Sequence, residues 1–275
     1  MRRLRGYDFR LLPQQLRNCP ESDRYEDCAG IGPVRTPVKK NGIKGTGSTL
    51  EFSDFIALIS HLWHIIAMKW SDLLRIVGRE PVFHSSILMS GSVNPVDLGR
   101  QLSRWVKSGY LIQLRRGVYT LAERFQKTTP HPFLIANRLK SASYVSLQSA
   151  LEYYGLIPEH VPSITSVTTG RPEKLTISLG NYIFKHIKKS LFSGYQVVDI
   201  GEGQSAFIAL PEKALFDLLY LTPESDNANY LQELRLENVE SLNFKILVEL
   251  AERSKSRKLC RAVRWITANL KESKE

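Results

Sequence analysis

Five residues able to grip nucleic acid fall within one short stretch, LGRQLSRWVK: Arg100, Gln101, Ser103, Arg104 and Lys107. Guanidinium and ammonium groups neutralise phosphates, and an arginine fork or a glutamine amide also pairs with base edges in the major groove. Arg115 and Arg116 follow, directly before Gly117. A second group, Thr168, Thr169 and Arg171 in SVTTGRP, combines hydroxyls with a cation and suits an anion or a nucleic acid. The plainer reading of that trio is strand-end and turn residues. A third group, Arg257, Lys258 and Arg261, lies in RSKSRKLCRAVR, which has six basic residues and no acid. It is either a phosphate-binding face or a solvated helix face packed through Leu259, Ala262, Val263 and Ile266. Hydrolytic chemistry is poorly supported. Asp199 with Glu212 and Lys213 suggests the acids and lysine of a metal-dependent nuclease, but the spacing is wrong. Glu212 more simply favours a helix N-terminus, with Lys213 solvated. No GxGxxG, GxxxxGK[ST], GxSxG or HExxH occurs, and His131, His160 and His186 lack ligand spacing. Cys19, Cys28 and Cys260 form neither a CxxC nor a zinc pattern, which fits a reducing cytosol and calls for no metal or cofactor.

The elements that must position the first group are legible. Trp70, Leu73, Leu74 and Val77 have helical spacing and stop at Gly78, with Pro81 beyond. A short second helix is predicted over about His84 to Met89, ending at Ser90-Gly91. Asn94 and Pro95 then open a third, as N-cap and first helical residue. Its apolar stripe is Leu98, Leu102, Trp105 and Val106, so the basic residues lie on or beside the opposite face. YLIQL and VYTL around Arg115-Arg116-Gly117 read as a hairpin. Three helices and a basic hairpin describe a winged helix-turn-helix over residues 68–127, its third helix built for the major groove. Residues 69–130 hold ten Lys/Arg against four Asp/Glu, so positive charge is concentrated where that motif needs it.

A second unit, 130–275, starts after Pro130 and Pro132. PFLIANRLK is a helix with Phe133, Ile135, Ala136 and Leu139 inward, and Ser146 is the N-cap of another over about 147–154. Five β runs follow, ITSVTT, EKLTISL, YIFKHI, YQVVDI and AFIAL, separated by turns that favour an antiparallel sheet. PEKALFDLLYL and three more helices, at about 228–236, 243–253 and 256–271, complete it. The fold class is α+β: a winged helix-turn-helix, then an α+β domain with a small, mainly antiparallel sheet and a helical tail. The whole chain, 275 residues with a formal net charge of +11, is biased toward polyanions, either nucleic acid or an acidic membrane surface. Residues 1–67 lack apolar periodicity over their first fifty positions. They read as a poorly structured extension, with Met68 an alternative start. The most apolar stretch, Phe55 to Met68, is too short to span a bilayer, so no membrane role is expected.

LSRWVKSGYLIQLRRGVYTL, SYVSLQSALEYYGLIPE, SVTTGRP and ALPEKALFDLLYL together resemble the AbiE-type antitoxins of type IV toxin–antitoxin systems, over roughly residues 68–272. The resemblance implies a non-enzymatic, cytoplasmic operon protein. Its N-terminal winged helix would repress its own promoter at inverted repeats in double-stranded DNA. Its C-terminal domain would counteract a nucleotidyltransferase-like toxin without a stable complex. The extension 1–67 is not part of the pattern. Alternatives are an interaction module that masks a toxin without binding DNA, and a metal-dependent nuclease.

Overall fold

The computed structural model describes residues 68–89 and 94–271. The expected extension 1–67, most of the apolar stretch Phe55 to Met68, Cys19, Cys28 and the Ser90-Gly91 stop lie outside them. The architecture is α+β with two sheets.

Helix α1 (Trp70–Val77) ends at Gly78, whose φ of +62° is costly for any residue with a Cβ. The chain then forms strand β1 (Val82–His84) and a 3₁₀ turn over Ser85–Met89 in place of the predicted second helix. β1 exists because Val82 and Phe83 find a partner strand far along the chain, a tertiary pairing with no local periodicity. Helix α2 (Pro95–Lys107) starts where predicted: the Asn94 side chain accepts from the Val96 amide at 2.9 Å and Pro95 occupies the first turn. β2 (Leu111–Arg115) and β3 (Val118–Leu121) form the hairpin, turning at Gly117 with φ +79°. The antiparallel sheet runs β1-β3-β2, with Phe83 opposite Tyr119 and Ile112 opposite Thr120.

Next come α3 (Pro132–Leu139), β4 (Ser143–Val145), α4 (Gln148–Tyr153) and β5 (Ser163–Thr168). β6 (Glu173–Ile177), β7 (Gly180–His186), β8 (Tyr195–Asp199) and β9 (Ser205–Ala209) complete a six-stranded sheet ordered β6-β7-β5-β4-β9-β8. All five predicted runs are strands, and β4 is a sixth. The sheet is mixed, more so than the expected mainly antiparallel one. β6–β7, β4–β5 and β8–β9 pair antiparallel, whereas β5–β7 and β4–β9 are parallel. The reason is the β6–β7 hairpin, which folds back so that β7 lies beside β5 and β6 takes the edge. Helices α5 (Pro211–Leu221), α6 (Ala228–Glu233), α7 (Phe244–Arg253) and α8 (Arg257–Lys271) follow. Among the described residues, no helix is long and apolar enough to cross a membrane.

Two apolar cores result. The smaller gathers Leu73, Val77, Leu88, Leu98, Leu102 and Trp105 with Phe83, Leu111, Tyr119 and Leu121. Trp70 caps it, its ring 5.3 Å from Trp105 and 5.1 Å from both Tyr110 and Phe125. The larger contains the six-stranded sheet's inner residues and the faces of α3 to α5, α7 and α8. The three-stranded sheet belongs to both. By the alternation of a strand, Phe83, Tyr119, Leu111 and Leu121 enter the smaller core, while Val82, Leu114 and Val118 enter the larger.

Candidate nucleic-acid interface

The sequence of α2 sorts itself onto two faces. Leu98, Leu102 and Trp105 are buried and Val106 is half-buried, which pins the helix to the smaller core. Arg100, Ser103, Arg104 and Lys107 are exposed, and Gln101 is half-buried. Val96, Gly99, Arg100, Ser103, Arg104, Lys107 and Tyr119 together line an open depression of about 600 Å³. Of the predicted reading residues, the structure therefore brings four to one surface beside the hairpin. Their tethers are local. Arg100 pairs with Asp97 at 3.1 Å with most of its side chain in water, and Arg104 donates to Gln101 at 3.3 Å. Exposed pairs of this kind contribute little and yield readily to a stronger anion. The Ser103 hydroxyl donates to the Gly99 carbonyl at 2.9 Å.

The two hairpin arginines differ. Arg116 is exposed at the turn. Arg115, expected on phosphate, instead donates to the Leu139 carbonyl and to Glu173 Oε2, both at 3.1 Å. Lys140 reaches the same carboxylate oxygen at 2.9 Å, and this hydrogen bond, helped by Arg115, holds the Glu173 carboxyl below its usual range. Arg115 thus ties the hairpin to the six-stranded sheet. The partner is 58 residues away, so nothing local announces it.

The other two groups are largely absorbed by the fold. Thr168 is buried, donates to the Ala142 carbonyl at 3.0 Å and accepts from the Gly170 amide at 3.1 Å. It builds the turn, whereas Thr169 is half-buried and Arg171 exposed. Lys258 donates to the Tyr220 and Thr222 carbonyls at 3.2 and 2.7 Å, a cation on the orphan oxygens at the end of α5. Partial burial lowers its pKa. Arg261 donates to Asp226 at 2.7 Å and holds that carboxyl low. Only Arg257 of the three faces solvent without a side-chain partner among the described residues. Leu259, Ala262, Val263 and Ile266 are all buried, so the packed-helix reading describes this face of α8.

The residues weighed for a nuclease have separate duties. Asp199 accepts from the Gly201 amide at 2.8 Å, closing a turn, and Glu212 stands in the first turn of α5, as expected, where it also accepts from the Asn243 amide at 2.7 Å. Lys213, predicted to be solvated, is 1% exposed and paired with Asp217, which is fully buried. Asp217 also accepts from Tyr144 at 2.9 Å and Ser146 at 2.8 Å. Ser146 is therefore not the N-cap of α4. That position is Leu147, held at φ +61°, a strained conformation for a branched residue. Burial pushes Asp217 up, Lys213 down and the Tyr144 phenol up. The signal that points to this quartet is the i, i+4 spacing of two opposite charges inside PEKALFDLLYL, a helix apolar on every side. Among the described residues, no group of three or more His, Cys, Asp or Glu is placed to hold a metal.

A wider hollow of about 770 Å³, lined among others by Arg79, Glu80, Lys127, Arg138 and Gln204, contains none of the predicted site residues. No protein-family model matches the chain, and no curated protein sequence is significantly similar to it.

Proposed function

We propose that this chain is a DNA-binding autorepressor and antitoxin of the AbiE type. In this reading α1, the 3₁₀ turn, α2 and the β2–β3 hairpin constitute a winged helix-turn-helix. Helix α2 enters the major groove and Arg116 at the wing tip meets a phosphate. The observation that carries the proposal is the division of α2 into an apolar face locked in a core and an exposed face of Arg100, Ser103, Arg104 and Lys107. A helix held rigidly by one side and cationic on the other is what groove entry requires. The chain's net charge of +11 supplies the long-range attraction. The role is regulatory rather than enzymatic and belongs in the compartment that holds the genome. The second half opposes a nucleotidyltransferase-like toxin without forming a lasting complex with it.

The test is a titration of the full chain against a labelled duplex from upstream of its own coding sequence, at several salt concentrations. The reading expects log affinity to fall linearly with log salt, and the upstream duplex to be bound more tightly than a scrambled one. No preference between the two duplexes refutes the repressor. The antitoxin half is tested by growth rescue in cells that express the neighbouring toxin gene.

A second reading, a module that masks its toxin by direct contact, draws on one observation. Tyr195, Val197 and Phe207 are apolar, exposed and adjacent on β8 and β9, with Val197 directly opposite Phe207. Co-purification of toxin and full chain, lost on Val197→Glu, would favour it over the first.

A further inference from the structure

Gly99 sits inside α2, four residues from its start and eight from its end, in ordinary helical conformation. Glycine there is a liability, because it loses more conformational freedom on folding than alanine. Helical glycines usually answer to a neighbour. Among the described residues, a Cβ here would meet nothing within 4 Å, so none of them excludes a side chain by packing. Nor does the backbone need glycine, since φ is not positive. The residue nevertheless lines the open depression, with Arg100, Arg104 and Lys107 along it and Ser103 one turn further on. Ser103 is also small, and its hydroxyl is folded back onto the Gly99 carbonyl. A low spot edged by three cations therefore lies open on the exposed face of α2.

We infer that Gly99 is where a DNA strand comes closest to this protein, its backbone in van der Waals contact with the helix backbone. This inference rests on the proposed DNA-binding role. Gly99 and Ser103 form the floor, and Arg100, Arg104 and Lys107 hold the phosphates or base edges that flank it. The missing Cβ sets how deeply α2 seats in the groove, which makes Gly99 a positioning residue for every contact made by the three cations. A methyl group at this point lifts the helix from the duplex and lengthens those contacts together.

Gly99→Ala separates this role from stability, because the two effects have opposite signs. In the absence of DNA the variant should melt a few degrees higher, since alanine is the better helix former and its methyl meets open space. Bound to the upstream duplex at fixed salt, it should be at least tenfold weaker than the wild-type chain. The probes are the labelled upstream duplex and a scrambled duplex of equal length, with a thermal melt of each protein alongside. Higher melting with weaker binding is the predicted pair of results. Higher melting with unchanged or tighter binding overturns the inference while leaving DNA binding intact. A wild-type chain that does not prefer the upstream duplex removes the DNA reading and the role of Gly99 with it.

Discussion

Replacing Lys213 by methionine removes one charge from a sealed site and leaves nearly everything else in place. The lysine stem lies against Gly194, where a Cβ would stand 3.1 to 3.3 Å from Lys213 Cγ, Cβ and Cδ, and methionine keeps a stem of similar length. What disappears is the ammonium group that pairs with Asp217 and lies 4.9 Å from the Phe216 ring centroid. Asp217 retains the Tyr144 and Ser146 hydroxyls, two neutral donors for a fully buried carboxylate. Removing one partner of such a pair costs ~3–5 kcal/mol, a large part of the ~5–15 kcal/mol that holds a typical domain together. At a urea slope of ~2 kcal/mol per M this is a midpoint shift of roughly 1.5–2.5 M. The double variant Lys213→Met, Asp217→Leu should lose less than the two single losses added, since neither charge is then left alone. Chemical denaturation of the four proteins at neutral pH measures this. A single-variant loss below about 1 kcal/mol, or strict additivity, would refute an intact buried ion pair at this position.

Three further outcomes are expected. Arg104→Ala should weaken binding to the upstream duplex by ~1–3 kcal/mol if that guanidinium reads a base, with the melting temperature unchanged; equal affinity for both proteins counts against α2 as the reader. Arg116→Ala should lower affinity for all duplexes and reduce the salt slope by about 1, whereas Arg115→Ala should leave that slope alone and instead cost up to ~1 kcal/mol of stability, because its ion pair with Glu173 is partly screened by water. The opposite assignment in a pair of salt titrations would show that Arg115 leaves Glu173 for DNA. Burial raises the Tyr182 phenol above its ordinary value of 10.0, so its contribution is fully present below pH ~10 and is lost as pH rises toward the folded-state value. Urea midpoints should therefore fall above pH ~10, and fall less steeply in Tyr182→Phe; identical pH dependence would be the contrary result.

What could be read in the sequence was whatever is local. Asn94-Pro95, the Leu98–Leu102–Trp105 stripe and the hairpin around Gly117 each announce themselves within a few residues, and the structure has them where the spacing puts them. The faces of α2 follow directly from that stripe, so the exposed cationic surface was legible too. The errors share a cause. His84–Met89 reads as a short helix, yet His84 closes a strand whose partner, Val118–Thr120, lies more than thirty residues on, and only a 3₁₀ turn over Ser85–Met89 remains. Ser146 has the residue type of an N-cap, yet its hydroxyl serves a carboxylate 71 positions later. Arg115 and Arg116 are indistinguishable as neighbours, and only Glu173 and the Leu139 carbonyl tell them apart. Lys213 reads as solvated because a charged residue usually is, and the hint its helix gives in Asp217 reads equally well as a surface pair.

The three-stranded sheet that lends one face to each core limits how this protein can be rearranged by recombination. A crossover in the stretch near Thr128–Pro132 looks harmless in the sequence, because it falls between elements. It would nevertheless strand Val82, Leu114 and Val118 facing water, and would cut Arg115 from Glu173 and Arg138 from Glu80. A new front half joined to the old rear half inherits a socket shaped for those three side chains. It must bring residues of matching volume and two matching charges before it folds well. The two halves are thus bound to change together, and the outward face of α2, which packs into neither core, is freer to vary than the front half is to be exchanged whole.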